Sequence, residues 1–200
     1  ARATVDVLQD AGYTVLLPPG EACCGLTWIS TGQLDAAKRK LNSLLGTLAP
    51  FAANGIPIVG VEPSCTAVLR SDMEDLLADD PRVGMVKEMT FTLAELLSAP
   101  KPLGPGEDWA MPDLAGLEVV AQPHCHHYSV MGWTADEELL RSAGAELTKV
   151  TGCCGLAGNF GMEKGHYDVS VKVADARLLP ALDNANPDAV FLADGFSCRT

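Results

Sequence analysis

The sequence predicts an α/β protein of two similar halves, each a small, mainly parallel sheet with crossover helices. Three observations predict it. Strand-like apolar runs alternate with stretches whose apolar residues recur at helical spacing, the pattern of parallel sheets joined by helices. The chain also repeats itself. Segments 7–25 (VLQDAGYTVLLPPGEACCG) and 139–155 (LLRSAGAELTKVTGCCG) both read helix, Ala-Gly, short strand, loop, Cys-Cys-Gly. Segments 56–65 (IPIVGVEPSC) and 187–198 (PDAVFLADGFSC) both read Pro, apolar strand, acidic residue, short loop, cysteine. The offsets agree, 130 residues from Cys24 to Cys154 and 133 from Cys65 to Cys198. Third, residues 101–114 (KPLGPGEDWAMPDL) are rich in Pro and Gly and read as a connector. The expected organisation is a first repeat at 1–98, truncated at its amino end, a connector at 99–116, and a second repeat at 117–200.

In chain order, a helix ends at Ala11-Gly12, a strand follows at 14–17, and a loop leads to Cys23-Cys24-Gly25. Residues 33–53 form a helix, with Leu34, Ala37, Leu41, Leu44, Leu45 and Leu48 on one face and Lys38, Arg39 and Lys40 on others. Gly55-Ile56-Pro57 ends it and opens a strand at 58–61. A helix resumes at 66–77, and the acidic stretch 72–80 reads as a solvated helix face. In the second half a strand at 117–121 and a helix ending at Ala143-Gly144 precede a strand at 146–150 and Cys153-Cys154-Gly155. A helix at 164–182 closes at Asp183-Asn184-Ala185-Asn186-Pro187, and a strand follows at 189–193. Ligands of open α/β sheets bind beyond the carboxyl ends of the strands. Every cysteine is expected at that edge: Cys65, Cys125 and Cys198 after strands 58–61, 117–121 and 189–193, the pairs after strands 14–17 and 146–150. Cys65 is also expected to open a helix, where the helix dipole favours a thiolate.

Composition narrows the function. A net charge of −12 argues against nucleic acid, which calls for a basic footprint, and against docking on anionic lipid. No apolar run reaches the ~20 residues that span a bilayer. Residues 1–8 carry Arg2 and Asp6 and do not read as a signal peptide. Seven cysteines cannot all pair internally, and the chain is far from the small, cysteine-dense secreted type. A cytoplasmic protein with thiols reserved for metal is the expectation. The sequence starts inside an apparent helix and stops two residues after Cys198, so it reads as a piece of something longer.

The second half offers Cys125, Cys153, Cys154 and Cys198, and four thiolates suffice for tetrahedral zinc or a cubane cluster. Adjacent side chains diverge, which suits a cluster several ångströms across better than one small ion. The short spacing usual between paired structural zinc ligands is absent. The first half offers Cys23, Cys24 and Cys65; a counterpart of Cys125 would lie about five residues before Ala1. His124, His126 and His127 flank Cys125, either to ligate or hydrogen-bond a cluster or as partly exposed loop residues. His166 reads as a capping or surface residue. Gly155, Gly158 and Gly161 do not form the dinucleotide fingerprint. Their expected role is to let backbone approach a cofactor, supplemented by Asn159 and Lys164, with Gly25 and Gly32 as first-half analogues. Trp28, Trp109 and Trp133 read as packing or interface residues. Glu137-Glu138 and Asp79-Asp80 read as surface, and no Ser-His-Asp grouping stands out.

This pattern resembles the cysteine-rich (CCG) domain family, which is found in heterodisulfide reductase and in the glycolate oxidase iron–sulfur subunit. The family's repeat is a cysteine, then Cys-Cys-Gly, then Cys-x-x-Cys, occurring twice. The resemblance covers nearly the whole chain. GCCGLAGNFGMEKGHYDVS and ADGFSC look closest to the C-terminal region of FAD-linked oxidase/iron–sulfur fusion proteins. The chain departs from the repeat at Val68, three after Cys65. The resemblance implies a [4Fe-4S] cluster in the second half, on Cys125, Cys153, Cys154 and Cys198, and zinc or a second cluster on Cys23, Cys24 and Cys65. It implies FAD elsewhere in the parent protein and a flavin-binding domain or subunit as partner. Electrons would pass from a glycolate-, lactate- or hydroxyglutarate-type 2-hydroxy acid through flavin to an acceptor, so this part is not catalytic alone. It also admits peripheral attachment at the inner membrane face through a partner. The alternatives are a heterodisulfide-reductase-like catalytic cluster and a structural zinc-binding interaction module.

Overall fold

A computed structural model describes residues 2–20 and 22–200 of the chain. The first residue of the expected opening helix, Ala1, lies outside the described residues. The chain divides into two compact units, Ala1–Ala110 and Met111–Thr200. Both mix helices with short parallel strands, as the sequence predicts.

In the first unit, α1 (Arg2–Asp10) leads into residues 14–17. These are not the expected strand: none of the four has a backbone hydrogen-bond partner among the described residues. After α2 (Leu26–Ser30) comes the long helix α3 (Leu34–Ala53), which buries Ala37, Leu41, Leu44, Leu45 and Leu48 as its periodicity requires. Leu34, at its first residue, stays exposed. β1 (Ile58–Val59) is shorter than expected, though the Gly60 N–H still bonds the Phe91 carbonyl at 3.0 Å; Gly60 packs so closely on Thr66 that a Cβ would lie 1.9 Å from its hydroxyl. The next helix starts earlier than expected. Pro63, pre-set for a first helical position, opens α4 (Pro63–Ala67), so Cys65 sits inside its first turn. A π-turn (Val68–Asp72) and α5 (Met73–Leu76) continue it. Three elements were not expected: α6 (Arg82–Glu88), β2 (Thr90–Phe91) and α7 (Leu93–Leu97). β2 pairs parallel with β1. Thr92 and Glu95 close a capping box on α7. Leu41, Leu45, Val68, Met73 and Val86 form the centre of the core.

The second unit holds a three-stranded parallel sheet in the order β4-β3-β5: β3 (Glu118–Gln122), β4 (Glu146–Lys149) and β5 (Val190–Ala193). Central β3 is buried through Val119, Val120 and Ala121. A π-turn (His127–Met131) and α8 (Thr134–Ser142) carry the chain from β3 to β4. Trp133, Ala145 and Leu147 pack against the sheet. The expected helix 164–182 is broken into α9 (Tyr167–Asp175) and α10 (Leu178–Asp183). Pro180 has no N–H to give to the Ala176 carbonyl and falls in the first turn of α10, where no intrahelical bond is required of it. α11 (Phe196–Arg199) follows β5. Among the described residues no helix is long and apolar enough to cross a membrane.

A candidate thiol site at the sheet edge

Parallel pairing points the carboxyl ends of β3, β4 and β5 the same way. Cys125 comes three residues after β3, Cys153 and Cys154 follow β4, and Cys198 is the third residue of α11 after β5. The structure thus brings together all four second-half cysteines. With Gln122, Gly152, Ala157 and Ser197 they line one small cavity of about 10 Å³. No three Cys, His, Asp or Glu side chains among the described residues are set around a single metal ion.

The doubled Cys-Cys-Gly-Leu has one geometry in both units. Gly25 and Gly155 take left-handed backbone, φ 77° and 95°, a conformation that costs a side chain about 1–2 kcal/mol. The turn aims the next N–H groups back at sulfur: Leu26 N–H at Cys24, Leu156 and Ala157 N–H at Cys154. Gly155 N–H donates to Cys153 Sγ at 3.3 Å. Glycine is also required sterically, since a Cβ at Gly155 would lie 2.2 Å from the Ser170 carbonyl oxygen. The hydrogen bond with Cys198 holds Cys154 down to about 5, helped by those backbone N–H groups against its burial. The same bond and burial push Cys198 up, and burial pushes Cys125 up.

Two of the three histidines correct the expectation of partly exposed loop residues: His124 and His127 are 3% and 4% exposed, while His126 is half-buried. Burial pulls the His127 imidazole down, but Asp136 and Asp194 outweigh it and hold it up to about 9. Its Nδ1 lies 2.5 Å from Asp194 Oδ2 and its Nε2 3.2 Å from Asp136 Oδ2. Asp194 also accepts the His124 backbone N–H at 2.7 Å, and His124 Nε2 meets Ser197 Oγ at 3.1 Å. Asp194 thereby ties the loop carrying Cys125 to the loop carrying Cys198. Sequence reasoning assigned Asp194, Asp136 and Ser197 no role. The signal was there for Asp194, the acidic residue of the repeated strand–acid–loop–cysteine pattern.

In the first unit the sulfurs of Cys24 and Cys65 share a hydrogen bond at 3.0 Å. That bond holds Cys24 down to about 7 against burial, and with burial it raises Cys65. Cys65 is the third residue of α4, as Cys198 is of α11, each behind a serine. Other expected contributors stand elsewhere. Gly158 has φ 74° with nothing near its Cβ position, and the Asn159 amide donates to Glu163 at 2.9 Å. Lys164 is exposed, and His166 stacks on Phe160. Gly32 meets nothing, Trp133 is core, Trp28 lies under Lys40, and Trp109 donates to Asp10.

The donor set suits a thiophilic metal centre: four thiols, one already favouring thiolate, with backbone N–H groups on two of the sulfurs. Residues 1–70 match the family model of the cysteine-rich domain, CCG. Over 199 residues the chain is 30% identical to one of the subunits of the anaerobic glycerol-3-phosphate dehydrogenase of Escherichia coli K12, covering 98% of this chain and 48% of that protein. It is 28% identical over 194 residues to a probable glycolate oxidase iron-sulfur subunit of Bacillus subtilis, covering 88% of this chain and 40% of the other. It is 28% identical over 201 residues to D-2-hydroxyglutarate dehydrogenase of Pseudomonas putida, covering 99% and 18%. The chain spans about half or less of the length of these relatives.

Proposed function

The chain carries a CCG cysteine-rich domain, and on that premise we propose that it is an iron–sulfur electron-transfer part of an oxidoreductase acting on 2-hydroxy acids. The observation that carries this reading is the convergence of Cys125, Cys153, Cys154 and Cys198 on one sheet edge. These four would hold a [4Fe-4S] cluster, which when bound supplies a one-electron relay. The chain's own residues set its surroundings. The N–H groups of Gly155, Leu156 and Ala157 face cysteine sulfur and stabilise added negative charge, which raises a potential. Asp194, His127 and Asp136 hold the two loops in register. The hydroxy-acid substrate is inferred from the names of the relatives, and the flavin partner from the resemblance to FAD-linked oxidase/iron–sulfur fusion proteins. Attachment to a membrane would be peripheral, through such a partner.

The test is anaerobic purification, followed by iron, sulfide and zinc analysis, absorption and EPR. A brown protein with a reducible signal that disappears in Cys154→Ser is the expected result. A colourless protein with stoichiometric zinc overturns the reading. A signal that changes on adding a disulfide substrate replaces it with a catalytic cluster.

A further inference from the structure

We infer, on the reading that this edge holds the cluster, that Gln122 is a positioning residue for it. Its side chain ties the end of β3, three residues before Cys125, to the loop that carries Cys153 and Cys154.

β3 is apolar and buried until its last residue. Val119, Val120 and Ala121 are core, and Gln122 after them is buried too, at 5% exposure. A buried amide has two N–H donors and a carbonyl to match. The Nε2 end is matched: it donates to the Gly152 carbonyl at 3.1 Å and to the Pro123 carbonyl at 3.2 Å. Both partners only accept, so the amide cannot be turned over without setting oxygen against oxygen. The other end, Oε1, is buried and has no hydrogen-bond partner among the described residues.

For the fold alone this is a poor choice of residue. A buried acceptor left unmatched carries its full desolvation penalty, which a methionine of the same length would avoid. The tie also gives the fold little, since Gly152 is exposed and its carbonyl would find water without Gln122. What the amide supplies is registry at the thiols. Gly152 stands immediately before Cys153. The Val150 N–H bonds the Ala121 carbonyl at 2.8 Å, and the Gln122 amide extends that ladder by one link into the cysteine loops. Asp194 does the same for the third loop, through the N–H of His124, the residue before Cys125. Gln122 and Asp194 together tie all three cysteine-bearing loops, and Gln122 and Gly152 line the cavity that the four thiols share. A centre with ligands on three loops is held as firmly as those loops are registered, which is the work of groups behind the ligands.

The test is Gln122→Met, which keeps the length of the side chain and removes the amide. In the metal-free, reduced protein the Val150 amide should exchange about tenfold faster, while those of Val119 and Val120 keep their rates. The melting temperature should not fall, because the unmatched acceptor goes with the tie. In the anaerobically purified, iron-loaded protein, iron should pass to a chelator at least about tenfold faster than from the unsubstituted protein. Gln122→Asn keeps an amide but is one methylene short of Gly152, and should lose iron as the methionine variant does. Iron release at the unsubstituted rate overturns the inference; if the melting temperature falls at the same time, Gln122 serves the fold alone. An unsubstituted protein that takes up no iron sinks the cluster reading instead, and the tie then stands or falls on Val150 exchange in the metal-free protein.

Discussion

Asp194 reaches two loops with one carboxylate, and Gly155 reaches two cysteines with one turn. Removing Asp194 in Asp194→Ala leaves the His127 ring without its 2.5 Å partner and the His124 N–H without its acceptor. Breaking a buried ion pair from one side costs about 3 kcal/mol, so the second unit should lose about that much, read as the shift in denaturant midpoint of Val119–Ala121 exchange. Asp194→Asn keeps an acceptor and should lose less; equal losses would show that the carboxylate only fills space. The two glycines form a matched pair. Gly158→Ala carries backbone strain alone, about 1 kcal/mol, since its Cβ meets nothing. Gly155→Ala adds a contact at 2.2 Å from the Ser170 carbonyl oxygen and should lower the melting temperature several times further. The cysteines were legible in the sequence because their chemistry is carried by residue type. The bracing by His124 and Asp194 was not, because bracing is a property of burial and partner; Asp194 left a trace only as the acidic residue of the repeated pattern.

Elements were legible where they are long enough to show a period. α3 has twenty residues and was placed within one residue of its start. β1 and β2 have two residues each, too few for any alternation to appear, and Arg70 links β2 to α7. That side chain bonds the Thr90 carbonyl at 3.1 Å and Glu95 at 2.8 Å. Pro63 and Pro180 both fall in the first turn of a helix that starts away from the expected boundary, where a missing N–H leaves no intrahelical bond unmade. α6 was unforeseen, yet its start carries a local signature. Asp80 accepts hydrogen bonds from the Arg82 side chain, at 2.9 and 2.6 Å, and from the Arg82 backbone N–H at 3.0 Å. The Arg82 side-chain bonds, then the backbone one, hold the Asp80 carboxyl down to about 2. The folded value lies below the unfolded one, so the stability this contact gives is full above the ordinary carboxylate range, near pH 4. It is lost as pH falls through about 2. A carbon-detected NMR titration should find Asp80 near 2, and Arg82→Ala should return it toward the ordinary range. An unmoved midpoint in that variant would assign the depression to something other than Arg82.

At the scale of the whole molecule the internal repeat was legible because both copies keep the same punctuation: Ala-Gly after a helix, Cys-Cys-Gly-Leu after an extended segment, Ser-Cys in a first helical turn. The inequality of its copies was legible too, since the second offers four cysteines and the first three. The second unit has a three-stranded β4-β3-β5 sheet with four thiols at its edge, while the first has the two-stranded β1-β2 sheet and three cysteines. The family model nonetheless falls on residues 1–70, so inequality of the sites does not track strength of the match. The physical consequence is a difference in how the two thiol sets bind. Four thiols complete a cubane's ligand set, whereas three leave one iron open to solvent and air. The 200-residue chain, purified anaerobically, should therefore carry about four irons rather than eight. Cys198→Ser should remove most of that iron, and Cys65→Ser should leave the EPR signal of the second-unit cluster in place. The opposite pattern, iron lost with Cys65 and kept without Cys198, would move the cluster to the first unit, with its two-stranded sheet. In that case three thiols and the backbone N–H of Leu26 would have to suffice.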